Sequence, residues 1–289
     1  MSGGGADGHL TWRELWAETA DLLGDANEAR WMCQEVGGLD SIEWATSLDD
    51  AVTERAVSRL DAMTARRRAG EPLQYVLGSW AFRNVELMVD RRVLIPRPET
   101  ELLAGYAIDE ARQRSPRRIV VDLGTGSGAI ALSCAAELSI EGTTVWGTDA
   151  SHDALEVARA NAAGLGRAAA NIRLAAGAWF DALPGDLRGE VDVIVSNPPY
   201  IAHGDAEVSD TVLEWEPHDA LFSGPDGLAD IRHIVEHAIH WLRPGGVLLL
   251  EFGHRQGEAV QQLLTARGYR EVEIRRDLAG RDRIAHARR

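Results

Sequence analysis

An α/β fold is what this sequence predicts: a mostly parallel sheet with helices on both faces, preceded by a small N-terminal helical bundle and a β-hairpin linker. Three observations predict it. From Arg118 onward short apolar runs alternate with helical patterns, as in strand–helix–strand units. A glycine-rich turn stands at the first strand-to-helix junction. Before about residue 70 the periodicity is helical.

Taken in order, residues 1–9 (MSGGGADGH) read as a flexible tail, with neither the basic start nor the apolar stretch of a signal peptide. Residues 10–72 form the expected helical domain. Thr11 and Glu14 have the spacing of a capping box, and Leu15, Trp16, Leu22 and Leu23 continue an apolar stripe. A second stripe over 29–36 stops at Gly37-Gly38. A third helix is expected over 51–68, with Val52, Ala56, Val57, Leu60 and Met63 on one face. Three helices without a chemical constellation suggest a docking module. Over 73–95, strand-like runs at 76–77, 80–82 and 85–89 are broken by Gly78 and Asn84, which predicts the hairpin linker. Residues 96–289 form the expected α/β domain. Pro96 and Pro98 stiffen the entry to a helix over 99–112. Strands follow at 119–123, 144–148, 191–196 and 247–252, with helices at 128–138, 153–163 and 228–242.

Bulk properties exclude several classes. The 289 residues are 45% hydrophobic, enough for a core, and carry no apolar run of membrane-spanning length. Cys33 and Cys134 lack ligand spacing, so neither a disulfide nor a zinc framework is expected. His218, His233 and His254 likewise show no ligand spacing, and no metal is expected. A cytoplasmic monomer fits these features. The formal charge of −15 argues against direct nucleic-acid binding, although Arg275, Arg276, Arg281, Arg283, Arg288 and Arg289 could form a local basic patch.

Asp122-Leu123-Gly124-Thr125-Gly126-Ser127-Gly128 follows the first strand and opens a helix. Such a turn lets a ligand approach the backbone closely and could serve NAD, FAD or S-adenosyl-L-methionine. Here the spacing is GxGxG, and Asp122 precedes it. A carboxylate repels a pyrophosphate but not a sulfonium or an amino group, which favours S-adenosyl-L-methionine over a dinucleotide. Asp149 ends the next strand, 21 residues after Gly128, where an acid meets a ribose diol. Trp179 is a candidate to cover the adenine ring.

The most specific feature is Ser196-Asn197-Pro198-Pro199-Tyr200 after a buried strand. Adjacent prolines end the ladder and hold Asn197 extended. Its side-chain carbonyl can accept one N–H of a planar amide or amine, and the Pro198 carbonyl can accept the other. Tyr200 can lie on the flat face of the substrate group. An amide nitrogen is a poor nucleophile, because its lone pair is spread into the carbonyl. Two acceptors on its hydrogens return density to nitrogen and aim it.

With these motifs goes a resemblance over nearly the whole chain. Pro72-Leu73-Gln74-Tyr75-Val76-Leu77-Gly78 and Val93-Leu94-Ile95-Pro96-Arg97-Pro98-Glu99-Thr100-Glu101 carry it, together with 122–132 and Asn197-Pro198-Pro199-Tyr200. Further matches are Glu216-Pro217, Ala220-Leu221, Gly224, Asp226-Gly227-Leu228 and Gly280-Arg281-Asp282-Arg283. The chain resembles the HemK/PrmC family, glutamine methyltransferases that modify peptide chain release factors. The resemblance implies a helical N-terminal domain, a hairpin linker and a Rossmann-like class I methyltransferase domain. It implies S-adenosyl-L-methionine as cofactor, with S-adenosyl-L-homocysteine as product. Asp122, Gly124, Thr125, Gly126, Ser127, Gly128, Asp149, Trp179 and Asn197 are then the cofactor-binding candidates. Asn197, Pro198, Pro199 and Tyr200 would hold the glutamine of a Gly-Gly-Gln motif, with Asn197, Pro198 and Tyr200 catalytic. The Asn-Pro-Pro-Tyr motif also occurs in adenine-amino DNA methyltransferases and in a group that methylates a ribosomal-protein glutamine, so these remain alternatives. The Pro-Arg-Pro-Glu-Thr-Glu run and the helical module favour release factors.

Overall fold

A computed structural model describes residues 9–114 and 117–289. The expected tail, apart from His9, lies outside the described residues. The chain divides into two compact units, with the division between Gly78 and Ser79.

The first unit is helical. α1 (Trp12–Leu23) starts from the expected capping box. The Glu14 N–H donates to Thr11 Oγ1 at 3.3 Å, and the Thr11 N–H donates to the Glu14 carboxylate at 3.0 Å. α2 (Ala26–Gly37) ends at Gly38, whose φ of +64° suits a residue without a Cβ. α3 (Ser41–Ser47) is a helix that the sequence reading lacks. It is seven residues long, too short for periodicity to announce, yet Asp40 and Glu43 cap it reciprocally and Trp44 anchors it. α4 (Glu54–Arg68) begins three residues later than expected, where the Thr53 hydroxyl caps it. α5 (Leu73–Leu77) corrects the reading of 76–77 as strand-like. Leu73 and Val76 both bury in the helical core, and Gly78 stops the turn at φ +81°. The core gathers Met32, Cys33 and Leu60 with Trp12 and Trp44, whose rings meet edge-on at 6.1 Å.

The second unit opens with the expected hairpin, β1 (Ser79–Phe82) and β2 (Val85–Met88), joined through Arg83-Asn84. The Arg83 guanidinium grips Glu137 bidentately at 2.8 and 2.9 Å and donates to the Glu101 carbonyl at 3.0 Å. Helix α6 (Pro98–Arg112) follows. The alternation then runs β3 (Arg118–Leu123), α7 (Ala129–Glu137), β4 (Thr143–Asp149), α8 (His152–Leu165), β5 (Ile172–Ala176) and β6 (Val191–Ser196). A short α9 (Asp210–Trp215) and α10 (Ala229–Trp241) lead to β7 (Leu242–Glu251), α11 (Gly257–Arg267), β8 (Arg270–Arg276) and β9 (Asp282–Arg288). The seven-stranded sheet is ordered β5-β4-β3-β6-β7-β9-β8. β5 to β7 are parallel, and β9 runs antiparallel to both its neighbours. Every residue of β6 is buried, as a central parallel strand covered on both faces requires.

The strand order reverses between β3 and β6, the switch point at whose carboxyl ends α/β sheets bind ligands. Registers put four exits at one level. Leu123 pairs with Thr148 and with Ser196, and Ser196 pairs with Leu250. Gly124, Asp149, Asn197 and Glu251 therefore leave four adjacent strands side by side. Among the described residues no helix is long and apolar enough to cross a membrane.

Candidate active site

A cavity of about 500 Å³ opens at this level in the second unit. The glycine-rich turn forms its floor. The N–H groups of Gly124 and Thr125 both donate to the Thr148 carbonyl at 2.9 Å, which ties the turn to β4. Gly124, Gly126 and Gly128 all hold positive φ, which explains why glycine stands there. Gly124, Thr125, Gly126 and Ser127 line the cavity, whereas Gly128 begins α7 and faces Leu132 and Ala158.

Asp122 lies beneath the turn rather than on the cavity wall. One of its oxygens accepts from the Thr125 hydroxyl at 2.6 Å and from the Ala131 N–H at 3.1 Å, and its other oxygen is buried without a partner. Burial pushes its carboxyl up to about 7. Asp122 thus shapes the loop from below, and its distance from the wall departs from a direct contact role.

Asp149 is on the wall. Its two oxygens accept one backbone N–H each, from Gly126 at 2.8 Å and Ser151 at 2.9 Å. Burial raises its carboxyl above the usual range against those donors. Each oxygen keeps acceptor capacity facing the cavity, which suits a diol. Trp179 also lines the cavity, and its ring lies across Gly124: a Cβ on that glycine would stand 3.3 Å from the ring. Trp179 holds a left-handed φ of +49°, a conformation that costs about 1–3 kcal/mol in a residue with a side chain. The Thr148 hydroxyl donates to its carbonyl at 3.1 Å and helps to hold it there.

Asn197 and Pro199 line the opposite wall. Pro198 is buried behind them, and Tyr200 stands outside the lining with its hydroxyl donating to Glu251 at 3.3 Å. Asn197 Nδ2 donates to the Thr100 hydroxyl at 3.2 Å, and that hydroxyl donates to Glu251 at 2.8 Å. The roof is the segment after the hairpin, with Val93, Leu94 and Pro96 on the wall. The buried Glu216 carboxylate pins it by accepting from the Ile95 N–H at 3.2 Å and by pairing with Arg97.

Three residues here escape a reading from sequence. Thr100 is a polar residue on the buried face of α6, alongside Leu103, Ala104 and Ala107. Glu251 is an acid that ends an apolar strand. Asn161, inside an alanine-rich helix, donates to the carbonyls of Ser127 and Met88 and accepts the Met88 N–H at 2.7 Å, so it staples the hairpin to the glycine turn. A polar residue at an apolar position is the one signal that could have flagged each. Among the described residues, no three His, Cys, Asp or Glu side chains converge as a metal site.

The geometry brings the glycine turn, the wall acid Asp149, Trp179 and the amide of Asn197 to one cavity. Sequence comparison decides the family. A release factor glutamine methyltransferase of Bordetella pertussis is 44% identical over 270 residues, 92% of this chain and 97% of that protein. One of Burkholderia pseudomallei is 42% identical over 279 residues, 94% of this chain and 96% of that protein. The chain belongs to the release factor glutamine methyltransferase family. Residues 14–78 match the family described as the PrmC N-terminal domain, and 101–215 match the methyltransferase small domain. Solved structures share the fold at low identity. A methyltransferase from Pyrococcus furiosus has a TM-score of 0.51 at 18% identity, covering 79% of this chain and 98% of its own. The hMettl16 catalytic domain, in complex with MAT2A 3'UTR hairpin 6, has a TM-score of 0.53 at 13% identity, covering 81% and 82%. In release factor glutamine methyltransferase terms, the helical unit coincides with the first matched family and the cavity belongs to the methyltransferase unit.

Proposed function

We propose that the protein transfers a methyl group from S-adenosyl-L-methionine to the side-chain amide nitrogen of the glutamine in the Gly-Gly-Gln motif of peptide chain release factors. The observation that supports this reading is the amide of Asn197 on the cavity wall, whose NH₂ end is bonded to Thr100, so that its carbonyl end is free to accept from a ligand.

The cofactor fits the donor set. Asp149 would accept its ribose hydroxyls, the turn from Gly124 to Ser127 would lie against it, and Trp179 would offer a flat apolar face. When bound, S-adenosyl-L-methionine supplies an electrophilic methyl group on a sulfonium. The chain's own residues do the rest. Asn197 Oδ1 accepts one N–H of the glutamine amide, and the backbone carbonyl of Pro198, whose ring is buried behind the wall, would turn to accept the other. Both keep the lone pair directed across the cavity and withdraw it from conjugation. Pro198 and Pro199 fix that acceptor pair so that little reorganisation is needed during transfer. No strong base is required, since the nitrogen becomes far more acidic once methylated. A glutamine flanked by glycines enters such a pocket without side-chain obstruction. Release factors enter the proposal through the activity that names the family and through the PrmC-type helical unit. A cytoplasmic, monomeric enzyme completes the proposal.

The test is mass spectrometry of a release factor incubated with protein and S-adenosyl-L-methionine. The expected result is one added methyl on the Gly-Gly-Gln glutamine, absent with Asn197→Ala. Methyl transfer only to a nucleic acid or to another protein would overturn the choice of substrate.

A further inference from the structure

The polar chain behind Asn197 has a direction, and that direction matters. Glu251 is 1% exposed; burial pushes its carboxyl up to about 7, and above that pH its carboxylate is acceptor-only. Thr100, 4% exposed, has a single hydroxyl hydrogen, which points at Glu251 Oε2 at 2.8 Å. Its lone pairs therefore face Asn197, at 3.2 Å. Only the NH₂ end of an amide can sit against a lone pair, so the carbonyl end of Asn197 must face away from Thr100. The other oxygen of Glu251 accepts the Tyr200 hydroxyl at 3.3 Å. One buried carboxylate thus holds two side chains of the Asn-Pro-Pro-Tyr segment.

We propose that Glu251 and Thr100 are positioning residues that set the amide of Asn197 carbonyl-outward, and thereby the enzyme's selectivity for a substrate nitrogen that donates. The proposal rests on the reading of Asn197 as acceptor for the glutamine N–H. A reversed amide would present NH₂ to NH₂ and repel the substrate group. Two substitutions of nearly unchanged shape reverse or erase the direction. In Glu251→Gln, the new NH₂ can donate to Thr100, which frees the hydroxyl hydrogen to turn toward Asn197 and flip its amide. In Thr100→Val, the acceptor for Asn197 Nδ2 disappears. Thr100→Ser keeps the hydroxyl and the direction. Because Glu251 also holds Tyr200, the Thr100 variants isolate the Asn197 branch.

The experiment measures kcat on a whole release factor, the dissociation constant of S-adenosyl-L-methionine and the melting temperature for the full chain and these variants, at about pH 8.5 where Glu251 is ionised. Glu251→Gln and Thr100→Val are expected to lose at least about tenfold in kcat, as misplacement of a positioned group does. Cofactor affinity should stay within about twofold, since Glu251 does not line the cavity and Thr100, which does, is bonded to Asn197 and Glu251 and not to Asp149. Thr100→Ser should stay within about threefold of the parent kcat. The Thr100→Val/Glu251→Gln double variant should be no slower than the slower single one, because both break the same chain. Should Glu251→Gln fail to fold, the contrast between Thr100→Val and Thr100→Ser decides. Parent-like kcat in Thr100→Val, or equal losses in Val and Ser, overturns the proposal while an inactive Asn197→Ala leaves the role of Asn197 standing. Full activity in Asn197→Ala overturns both.

Discussion

Two aspartates at neighbouring strand ends show how much a single residue's surroundings decide. Asp122 is buried and Asp149 half-buried, and burial raises both carboxyls. Asp122 spends its hydrogen bonds inside the loop, on Thr125 and Ala131, so its work is structural. Asp149 takes one backbone donor per oxygen and borders the cavity, so it can accept more. Replacing Asp149 by alanine removes acceptors for a ligand and frees Gly126. Isothermal titration should show S-adenosyl-L-methionine binding weakened by about tenfold or more, in line with loss of hydrogen bonds to a charged group. Unchanged affinity would remove Asp149 from the binding wall. At this scale the sequence was informative wherever chemistry and backbone constraint coincide, as at Asn197 before two prolines. It was silent on Thr100 and Glu251, because a threonine in a helix and an acid at a strand end are ordinary until their neighbours are known.

Between α9 and α10 the chain presses against the Asn-Pro-Pro-Tyr segment, and Gly227 is the point of contact. It holds φ +72°, and a Cβ there would stand 2.2 Å from the Tyr200 carbonyl oxygen. Backbone cannot swing away as a long side chain can. Gln256, from the turn before α11, donates to the same carbonyl at 3.0 Å. The reactive segment is therefore clamped by two elements that follow it in the chain. Gly227→Ala should lower the melting temperature of the methyltransferase unit by more than about 4 °C, since the left-handed backbone alone costs about 1–2 kcal/mol. Gly189→Ala is the control. Its φ is +76°, but nothing lies within 4 Å of the added carbon, so it should show only the smaller, conformational loss. Equal losses in differential scanning fluorimetry would mean that the contact with Tyr200 contributes nothing. Several elements elude the sequence reading: α3 and α5 are too short for periodicity, β5 and β8 are half-exposed edge strands, and α9, α11 and the inner strand β9 escape it too.

Over the whole molecule, stability should carry the mark of a buried carboxyl without a counter-charge. Asp122 starts from 3.8 in the open chain and is pushed up to about 7 by burial in the folded one. Its folded pKa lies above the unfolded value, so its contribution is fully present below about 4 and is lost as pH rises through about 7. Asp122→Asn keeps an oxygen for Thr125 and Ala131 and carries no charge. The stability of this variant relative to the parent should therefore rise between pH 5 and pH 8.5, read from urea unfolding at both values. A difference independent of pH would show that the carboxyl ionises as freely in the folded protein as in the open chain.

By itself the sequence determined the alternation that makes the sheet parallel, the glycine turn, the acid at the end of the second strand and the direction imposed on Asn197 by two prolines. These are local properties, set by periodicity and by backbone sterics over a few residues. Only the tertiary structure decided that Asp122 lies under the turn, that Asn161 staples the hairpin to it, and that Glu251 stands behind Asn197. Thr100 and Glu251 are separated by 151 residues, and they meet because β7 pairs with β6 while α6 packs beside both strands. Strand order is a long-range outcome of burying apolar faces together, and no local pattern encodes which neighbour a strand will take.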